Sequence, residues 1–362
     1  MPPMAKKAKK AKGAKDSAKS TRAKDSTKDS TKDKVKRATG AKGAAGAEGA
    51  TAAGRKTSRT SASPTGSGDP VAPKPTPHAA ARPVESASFT EALRVVEGFS
   101  LFDLDARSTP AFDGDKAAGQ ALMPSIAEEI SELQERLYAE SKVGGTRSLL
   151  LVVQGMDTSG KGGIMRHVVG EMDPQGVSYT AFKAPSAEER QHPFLWRIRR
   201  ALPEPGQIGV FDRSHYEDVL IARVRELVPR ATWARRYGQI NAFEQSAVQA
   251  GTTIVKVMLH ISSDEQKARL MERLERPDKN WKFNPGDVDE RLLWPRYQEA
   301  YQAVIEKCST PDAPWFVVPA DRKWYARLAV QNLVLEHLRA MDPRWPAADY
   351  DVETEKARLA AT

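Results

Sequence analysis

The segment at residues 155–162 has the composition of a loop that binds phosphate. Its sequence, GMDTSGKG, fits the pattern G-x-x-x-x-G-K. In this pattern the glycines let backbone N–H groups turn inward on a phosphate, and the lysine supplies a mobile cation. An apolar stretch precedes the loop and a helical pattern follows it, as the motif requires. The sequence therefore predicts phosphate contacts from Gly155, Thr158, Ser159, Gly160, Lys161 and Gly162.

The usual magnesium ligand is missing from this loop. Phosphate loops commonly carry a Ser or Thr after the lysine to ligate Mg²⁺, and Gly162 occupies that position here. Phosphoryl transfer depends on positioning and charge neutralisation, so the metal still needs anionic ligands. Asp157 lies inside the loop and is the candidate for this role. The alternative is an Asx turn in which Asp157 only closes the loop.

A second carboxylate follows another apolar stretch. Asp212 comes directly after the tripeptide GVF, which is the layout of a Walker B carboxylate. Together Asp157 and Asp212 predict a two-carboxylate clamp for Mg²⁺. Arg213 follows at once and can neutralise charge on a transferring phosphate. The alternative for Asp212 and Arg213 is a salt bridge or a helix cap.

The next residues have the types of a hydrolase triad without its geometry. Ser214, His215 and Asp218 are almost contiguous, so they cannot reach one another in a proton relay. We interpret Ser214 as the N-cap of the following helix.

Apolar runs alternate with amphipathic stretches from residue 149 onward, and this alternation predicts the scaffold. Continuous apolar runs, typical of strands buried on both faces, lie at 149–154, 177–183, 207–212, 252–261 and 315–319. Helical patterns lie at 163–172, 187–202, 216–228, 232–250, 262–275, 288–307 and 322–340, and another precedes the first strand at Ile126, Ile130, Leu133 and Leu137. The sequence therefore predicts an α/β fold with a doubly wound parallel sheet, which binds ligands at the carboxyl ends of its strands.

Four separated segments resemble the polyphosphate kinase type 2 family: GMDTSGKGG, KAPSAEERQHPFLWR, FDRSHYEDVL and KNWKF. The similarity extends over residues 120–346. The resemblance implies a P-loop kinase fold related to thymidylate kinase, with a helical lid and a homo-oligomeric assembly. It implies Mg²⁺-dependent phosphoryl exchange between inorganic polyphosphate and nucleoside mono-, di- and triphosphates. The residues at the family's catalytic positions are Asp157, Lys161, Asp212 and Arg213.

Basic residues near the predicted strand ends are candidates for binding the polyphosphate chain. Such a chain carries about one charge per phosphate, so its site must be lined with Lys and Arg. We predict contacts from Lys183, Arg197, Arg213 and Arg223. The alternative for any one of these arginines is a solvated helical face.

Residues 273–296 combine basic and aromatic side chains with Pro277, Pro285 and Gly286. This composition predicts a mobile lid that closes over phosphate and excludes water. Its candidate cations are Arg273, Arg276, Lys279 and Lys282. An ordinary surface helical hairpin is the alternative.

Residues 1–88 contain almost no large apolar side chain and cannot bury enough surface to offset their ordering entropy. We predict a disordered arm and linker rich in Lys, Ala and Pro, a P-loop kinase domain at 89–346 and a C-terminal tail at 347–362. Residues 1–60 carry 18 basic and five acidic side chains, whereas the rest of the chain carries 38 and 42. The arm is thus predicted to contact polyanions non-specifically, or alternatively to act only as a solubilising tail.

The single cysteine, Cys308, excludes an internal disulfide and a cysteine metal cluster. The sequence has no run of about 18 apolar residues that could span a membrane. Both observations predict a cytoplasmic protein without a membrane partner.

Two rival functions share the same loop. One is a kinase that uses only ATP to phosphorylate a small molecule or nucleotide. The other is a regulatory P-loop module that its basic arm anchors to nucleic acid, which leaves the metal carboxylates and the lid unexplained. In the family that the chain resembles, the form that accepts monophosphates is often a fused pair of catalytic domains. The resemblance therefore implies a diphosphate or dual acceptor for this sequence, which has one catalytic domain.

Overall fold

The computed structural model describes residues 88–362. The predicted disordered arm therefore lies outside the described residues, apart from Ser88. One five-stranded sheet forms the centre of the described chain, with strands β1 Ser148–Gly155, β2 Val177–Ala181, β3 Ile208–Asp212, β4 Thr252–His260 and β5 Trp315–Pro319. All neighbouring strands are parallel, in the order β2-β3-β1-β4-β5. The predicted doubly wound parallel sheet is confirmed.

Eleven α-helices accompany the sheet in the described part of the chain. Their bounds are α1 Phe89–Leu93, α2 Lys116–Lys142, α3 Lys161–His167, α4 Trp196–Arg200, α5 Ile221–Val224, α6 Arg230–Gln249, α7 Ser263–Glu275, α8 Gly286–Leu292, α9 Trp294–Cys308, α10 Lys323–Met341 and α11 Val352–Ala360. None of these helices is both long enough and apolar enough to cross a membrane.

The alternation of side chains along β1 divides the core into two layers. Leu149, Leu151 and Val153 pack with residues of α2, α3 and α10. Leu150 and Val152 pack on the opposite face with residues of α6 and α9. Successive strand residues point to opposite faces, and all eight residues of β1 are buried. Because helices cover both faces of the sheet, both alternating sets of side chains on β1 must be apolar, which explains the continuous apolar run.

Prolines shorten or divide several predicted helices. The helix predicted at 187–202 is reduced to a 3-10 turn at Glu189–Gln191 and α4, because Pro193 lacks a donor N–H and disfavours the helical conformation before it. The helix predicted at 288–307 divides into α8 and α9, and Pro295 occupies the first turn of α9, where proline is tolerated.

Other boundaries differ without a proline. The pattern at 163–172 becomes α3 plus a 3-10 turn at Val169–Glu171, and the pattern at 216–228 becomes a 3-10 turn at His215–Asp218 plus α5. The predicted C-terminal tail is not wholly irregular, because it contains α11. Asp351 caps this helix by accepting a hydrogen bond from the backbone N–H of Thr354.

Candidate active site

The predicted phosphate loop connects β1 to α3 and has a sterically demanding backbone. Gly155 has φ of 154°, and a Cβ atom there would lie 2.6 Å from Ser159 Oγ and 2.8 Å from the carbonyl oxygen of Leu259. Gly160 has φ of 118°, and Thr158 has φ of 64°. These conformations favour glycine, so the two glycines of the motif are explained by the shape of the loop.

The loop is held from outside by Arg269 of α7. This side chain is 5% exposed. Its Nη1 donates to the carbonyl oxygens of Thr158 at 2.8 Å and Ser159 at 3.1 Å. Its Nη2 donates to those of Ala320 at 2.7 Å and Asp321 at 2.9 Å. Arg269 therefore ties the loop to the end of β5. Sequence reasoning missed it, and its only signal was a basic residue on the apolar side of a predicted helix.

Lys161 lies at the first position of α3 and folds back over the loop. Its Nζ donates to the carbonyl oxygens of Gly155 at 2.6 Å and Met156 at 3.2 Å. Burial lowers the pKa of this amine below its ordinary 10.5, while the charge of Asp157 acts in the opposite direction. Asp212 and Glu217 also act on the Lys161 charge. The lysine is thus surrounded by the predicted catalytic carboxylates.

The strand register places the second carboxylate beside the loop. Asp212 at the end of β3 is paired with Val153 of β1, two residues before Gly155. Arg213 follows with φ of 65°, which is uncommon for a residue with a side chain. Its Nη2 donates to Asp157 Oδ1 at 3.1 Å. The structure therefore brings Asp157, Lys161, Asp212 and Arg213 together at the carboxyl edge of the sheet.

Glu217 is a further acidic residue of this site that sequence reasoning missed. Its carboxylate lies 4.0 Å from Arg213 Nη1, and its Oε1 accepts a hydrogen bond of 3.1 Å from the Gln154 amide. Burial raises the pKa of Glu217, while Arg213 and Lys161 oppose that shift. Burial also opposes the positive charge of Arg213, but Glu217 and Asp157 outweigh it and raise its pKa. Glu217 and Arg213 thus stabilise each other's charges.

Two cavities flank Arg213. The loop cavity has a volume of 290 Å³ and lies between the phosphate loop and the predicted lid; its lining includes Gly155, Asp157, Asp287, Glu290 and Tyr301. The basic cavity has a volume of 600 Å³, and its lining includes Lys183, Arg190, Arg197 and Arg236 together with the acidic residues Glu189 and Asp218. Arg213, Glu217 and Ile221 line both. A phosphoryl group at Arg213 would therefore be within reach of both cavities.

A sequence profile of the family Polyphosphate kinase 2 (PPK2) matches residues 113–346. The chain belongs to the polyphosphate kinase 2 family. It is 43% identical over 248 residues to an AMP/ADP-polyphosphate phosphotransferase of Meiothermus ruber, a match that covers 68% of this chain and 91% of that protein. It is 41% identical over 271 residues to an ADP-polyphosphate phosphotransferase of Rhodopseudomonas palustris, covering 71% and 92%.

A solved structure of this family has the same fold. The crystal structure of polyphosphate kinase 2 from Arthrobacter aurescens superposes with a TM-score of 0.76 at 54% sequence identity, covering 76% of this chain and 98% of that one. The predicted family membership and the P-loop kinase-like fold are therefore confirmed, and the chain is an enzyme of the polyphosphate kinase 2 type.

Within this polyphosphate kinase 2 chain, the predicted polyanion contacts fall into separate places. Lys183 is exposed and Arg197 is largely buried; the two share the basic cavity, and Arg197 Nη1 donates to the carbonyl oxygen of Lys183 at 2.8 Å. Arg223 instead lines a neighbouring cavity and packs over the ring of Trp233. The structure thus brings Lys183 and Arg197 to Arg213 but does not bring Arg223 there.

The predicted lid contains the end of α7, a 3-10 turn at Asn280–Lys282, α8 and the start of α9. Its cations contact other residues of the same region. Arg273 bonds to Asp287, Arg276 to Asp278 and Lys279 to Glu272, and Lys282 lies over the ring of Trp281. None of the four lines the loop cavity. Their contact with phosphate stays a prediction.

The donor set at the site is suited to Mg²⁺. Within residues 88–362, no group of three or more His, Cys, Asp or Glu is arranged to hold a metal. Mg²⁺ in phosphoryl-transfer sites is commonly held by one or two carboxylates together with water and substrate phosphates. Asp157 and Asp212 are partly exposed hard-oxygen ligands at one edge of the sheet. They therefore fit a Mg²⁺ ion whose remaining ligands come from the substrate phosphates.

Proposed function

We propose that this enzyme transfers phosphoryl groups reversibly between inorganic polyphosphate and nucleoside di- or monophosphates, for example converting ADP to ATP. The observation that carries the proposal is the gathering of Asp157, Lys161, Asp212 and Arg213 between two cavities at one sheet edge. The two relatives at 43% and 41% identity are phosphotransferases that use polyphosphate and adenine nucleotides, which supports the same substrate pair here.

The protein binds the phosphate groups of the substrates and neutralises their charge. Lys161 and the N–H groups of residues 155–162 bind the phosphate, and Arg213 stabilises the charge that develops during in-line transfer. Lys183 and Arg197 give the basic cavity the charge to take the polyphosphate chain. No covalent intermediate on the protein is required.

Mg²⁺ is part of this proposal. Held by Asp157 and Asp212, it would neutralise phosphate oxygens and orient the reacting groups. The cations of the lid, Arg273, Arg276, Lys279 and Lys282, would add charge when the lid closes. We further propose a cytoplasmic homo-oligomer in which the basic arm contacts polyanions without specificity.

The reaction is tested with the purified full chain, long-chain polyphosphate and Mg²⁺, with ADP, GDP, AMP or GMP supplied in turn. We expect nucleoside triphosphate to form from ADP only when both polyphosphate and Mg²⁺ are present. The accepted nucleotides then define the acceptor class. A folded sample that forms no product with any of the four would contradict the proposal and leave a kinase with another substrate.

A second experiment separates the enzyme from a nucleic-acid module. Removal of residues 1–87 leaves Ser88, whose hydroxyl donates to Glu336 Oε2 at 2.8 Å. We expect this truncated chain to retain its turnover. Loss of turnover in a folded truncated chain would assign the arm a part in the reaction.

A further inference from the structure

A charged cluster that the reaction does not use is buried beneath the active site. It consists of Lys256 in β4, Glu244 in α6, and His215 and Tyr216 in the turn after β3. Each of the four side chains is at most 1% exposed. We call these four residues the buried cluster. A buried ion pair contributes little to stability, since apolar residues of the same volume commonly serve as well. Stability alone therefore does not explain why it is present.

Hydrogen bonds connect the members of the buried cluster in a closed arrangement. Lys256 Nζ donates to Glu244 Oε2 at 2.6 Å, to Tyr216 Oη at 3.0 Å and to the carbonyl oxygen of Cys308 at 2.6 Å. All three of its protons are thus used. Glu244 Oε1 accepts from Tyr216 Oη at 2.7 Å and from His215 Nε2 at 3.1 Å. His215 Nε2 must be the donor, because a carboxylate only accepts.

The cluster holds the segment that carries the charged side chains of the site. His215 and Tyr216 point into the core, whereas Arg213 and Glu217, on either side of them in sequence, line both substrate cavities. Arg213 has a positive φ, which is unfavourable for a non-glycine residue unless its surroundings impose it. The packing of Tyr216 against Trp315, with ring centroids 4.7 Å apart, adds a further fixed contact.

We propose that the buried cluster is a positioning device, in which Lys256 and Glu244 fix the turn at 213–217 through His215 and Tyr216. The turn then presents Arg213 and Glu217 to the phosphoryl group in one geometry. Directional hydrogen bonds specify the position of this turn, which apolar contacts alone do not. The kinetic part of the test rests on the proposed polyphosphate reaction.

The test uses two substitutions that leave the Lys256–Glu244 pair intact, together with a conservative variant at His215. Tyr216→Phe removes only the hydroxyl and leaves the ring packed on Trp315. His215→Met removes the donor to Glu244, whereas His215→Gln keeps an N–H group at the corresponding position. We expect kcat to fall about tenfold in the first two variants, with the KM for nucleotide within about twofold, and kcat to be largely restored in His215→Gln.

The matched control is Glu336→Gln on α10. Glu336 accepts hydrogen bonds from Ser88 Oγ and from the N–H groups of Phe89 and Thr90, and it lines neither of the two cavities. The free energy of unfolding is measured for every variant. We expect Glu336→Gln to lose stability while keeping the wild-type kcat. Wild-type kcat in Tyr216→Phe and His215→Met would overturn the proposal.

Hydrogen–deuterium exchange, measured without substrate, tests the positioning role independently of the proposed reaction. The Arg213 N–H donates to the carbonyl oxygen of Val153 at 3.0 Å, so its hydrogen–deuterium exchange reports on the turn. We expect faster exchange in peptides covering residues 211–218 for Tyr216→Phe and His215→Met only. That result would support the positioning role even in a chain that is inactive with polyphosphate. Unchanged exchange would overturn it.

Discussion

The phosphate loop and the predicted lid are both rich in charge, but they are held in different ways. Arg269 fixes the loop through four backbone carbonyl oxygens, and its side chain is buried. The lid at 273–296 also has exposed pairs, such as Arg276 with Asp278, whose side chains are 50% and 64% exposed. Exposed pairs contribute about 0–1 kcal/mol. We therefore expect the loop to be in place before substrate arrives and the lid to exchange its ion-pair partners for phosphate.

The turn after β3 belongs with the fixed region. Its buried cluster is enclosed, and the backbone N–H and hydroxyl of Ser214 donate to the side-chain oxygen of Gln154 in β1. Preorganised charge is most effective when it does not have to reorganise during the reaction. The contrast therefore predicts large effects for substitutions in the fixed region and small effects in the lid.

The largest effect is expected for the two proposed metal ligands. Asp157→Asn and Asp212→Asn each remove one anionic ligand while keeping side-chain volume. We expect turnover to fall about 10³-fold in either variant, with an unfolding midpoint close to that of the wild type. Nucleotide formation and thermal unfolding measured together check both parts. Retained activity in either variant would remove that residue from the proposed clamp.

The next largest effect is a pH-dependent loss of stability in Glu244→Gln. Burial would raise the pKa of Glu244, but the charge of Lys256 and the hydrogen bond from His215 outweigh it and lower the pKa below 4.5. Its stabilising contribution is therefore present at neutral pH and is lost as the pH falls through the lowered value. Glu244→Gln leaves Lys256 unpaired, and we expect a loss of about 3–5 kcal/mol at pH 7.

Urea unfolding at a series of pH values measures this loss. The difference between wild type and Glu244→Gln should be constant above about pH 5 and should shrink in more acidic buffer, because wild-type Glu244 then becomes neutral as well. A difference that stays constant down to the onset of acid unfolding would show that the Glu244 charge does not stabilise the fold.

A smaller effect is expected where Arg269 meets the loop. Arg269→Met keeps the bulk of the side chain but leaves carbonyl oxygens of Thr158 and Ala320 without their donor. We expect a loss of about 2 kcal/mol in unfolding free energy and a rise in the KM for nucleotide. Arg358→Gln on α11 is the control, since its pair with Glu355 is exposed and should be worth less than about 0.5 kcal/mol. Equal losses in the two variants would contradict the fixed-loop interpretation.

Local patterns in the sequence were sufficient to predict the sheet, the position of the loop and the position of Asp212 at the end of β3. A buried parallel strand needs a continuous apolar run, and the phosphate loop needs its glycines at fixed spacing. Both requirements are satisfied within a few neighbouring residues, so no knowledge of the rest of the chain was needed.

The supports of the site were not predictable in this way. Arg269 and Thr158 are 111 positions apart in the sequence, and Lys256 and Cys308 are 52 apart. Such pairs are determined by the packing of whole helices on the sheet. A lysine inside the apolar run at 252–261 was the one local sign that the core contains an ion pair.

The smallest effect is expected for Glu272, the residue directly before the lid, and it has the opposite sign. Glu272 contacts three cations, Arg276, Lys279 and Lys323, and the hydrogen bond from Lys279 lowers its pKa to about 2. The carboxylate therefore stays ionised at neutral pH, and we expect it to compete with phosphate for these cations. Glu272→Gln releases them, and we expect the KM for polyphosphate to fall about twofold to fivefold, the equivalent of about 0.5–1 kcal/mol.

The salt dependence of KM and a control substitution, Glu353→Gln, show whether this effect comes from the cations paired with Glu272. Exposed charges are screened at high ionic strength, so the gain should be largest in dilute buffer and should disappear near about 1 M salt. Glu353→Gln removes the exposed partner of Lys356 on α11 and should leave the KM for polyphosphate unchanged. If Glu272→Gln also leaves it unchanged in dilute buffer, these cations do not reach the chain, and the segment is a surface hairpin. A lower KM confined to Glu272→Gln would instead show that the cations paired with Glu272 are available to phosphate.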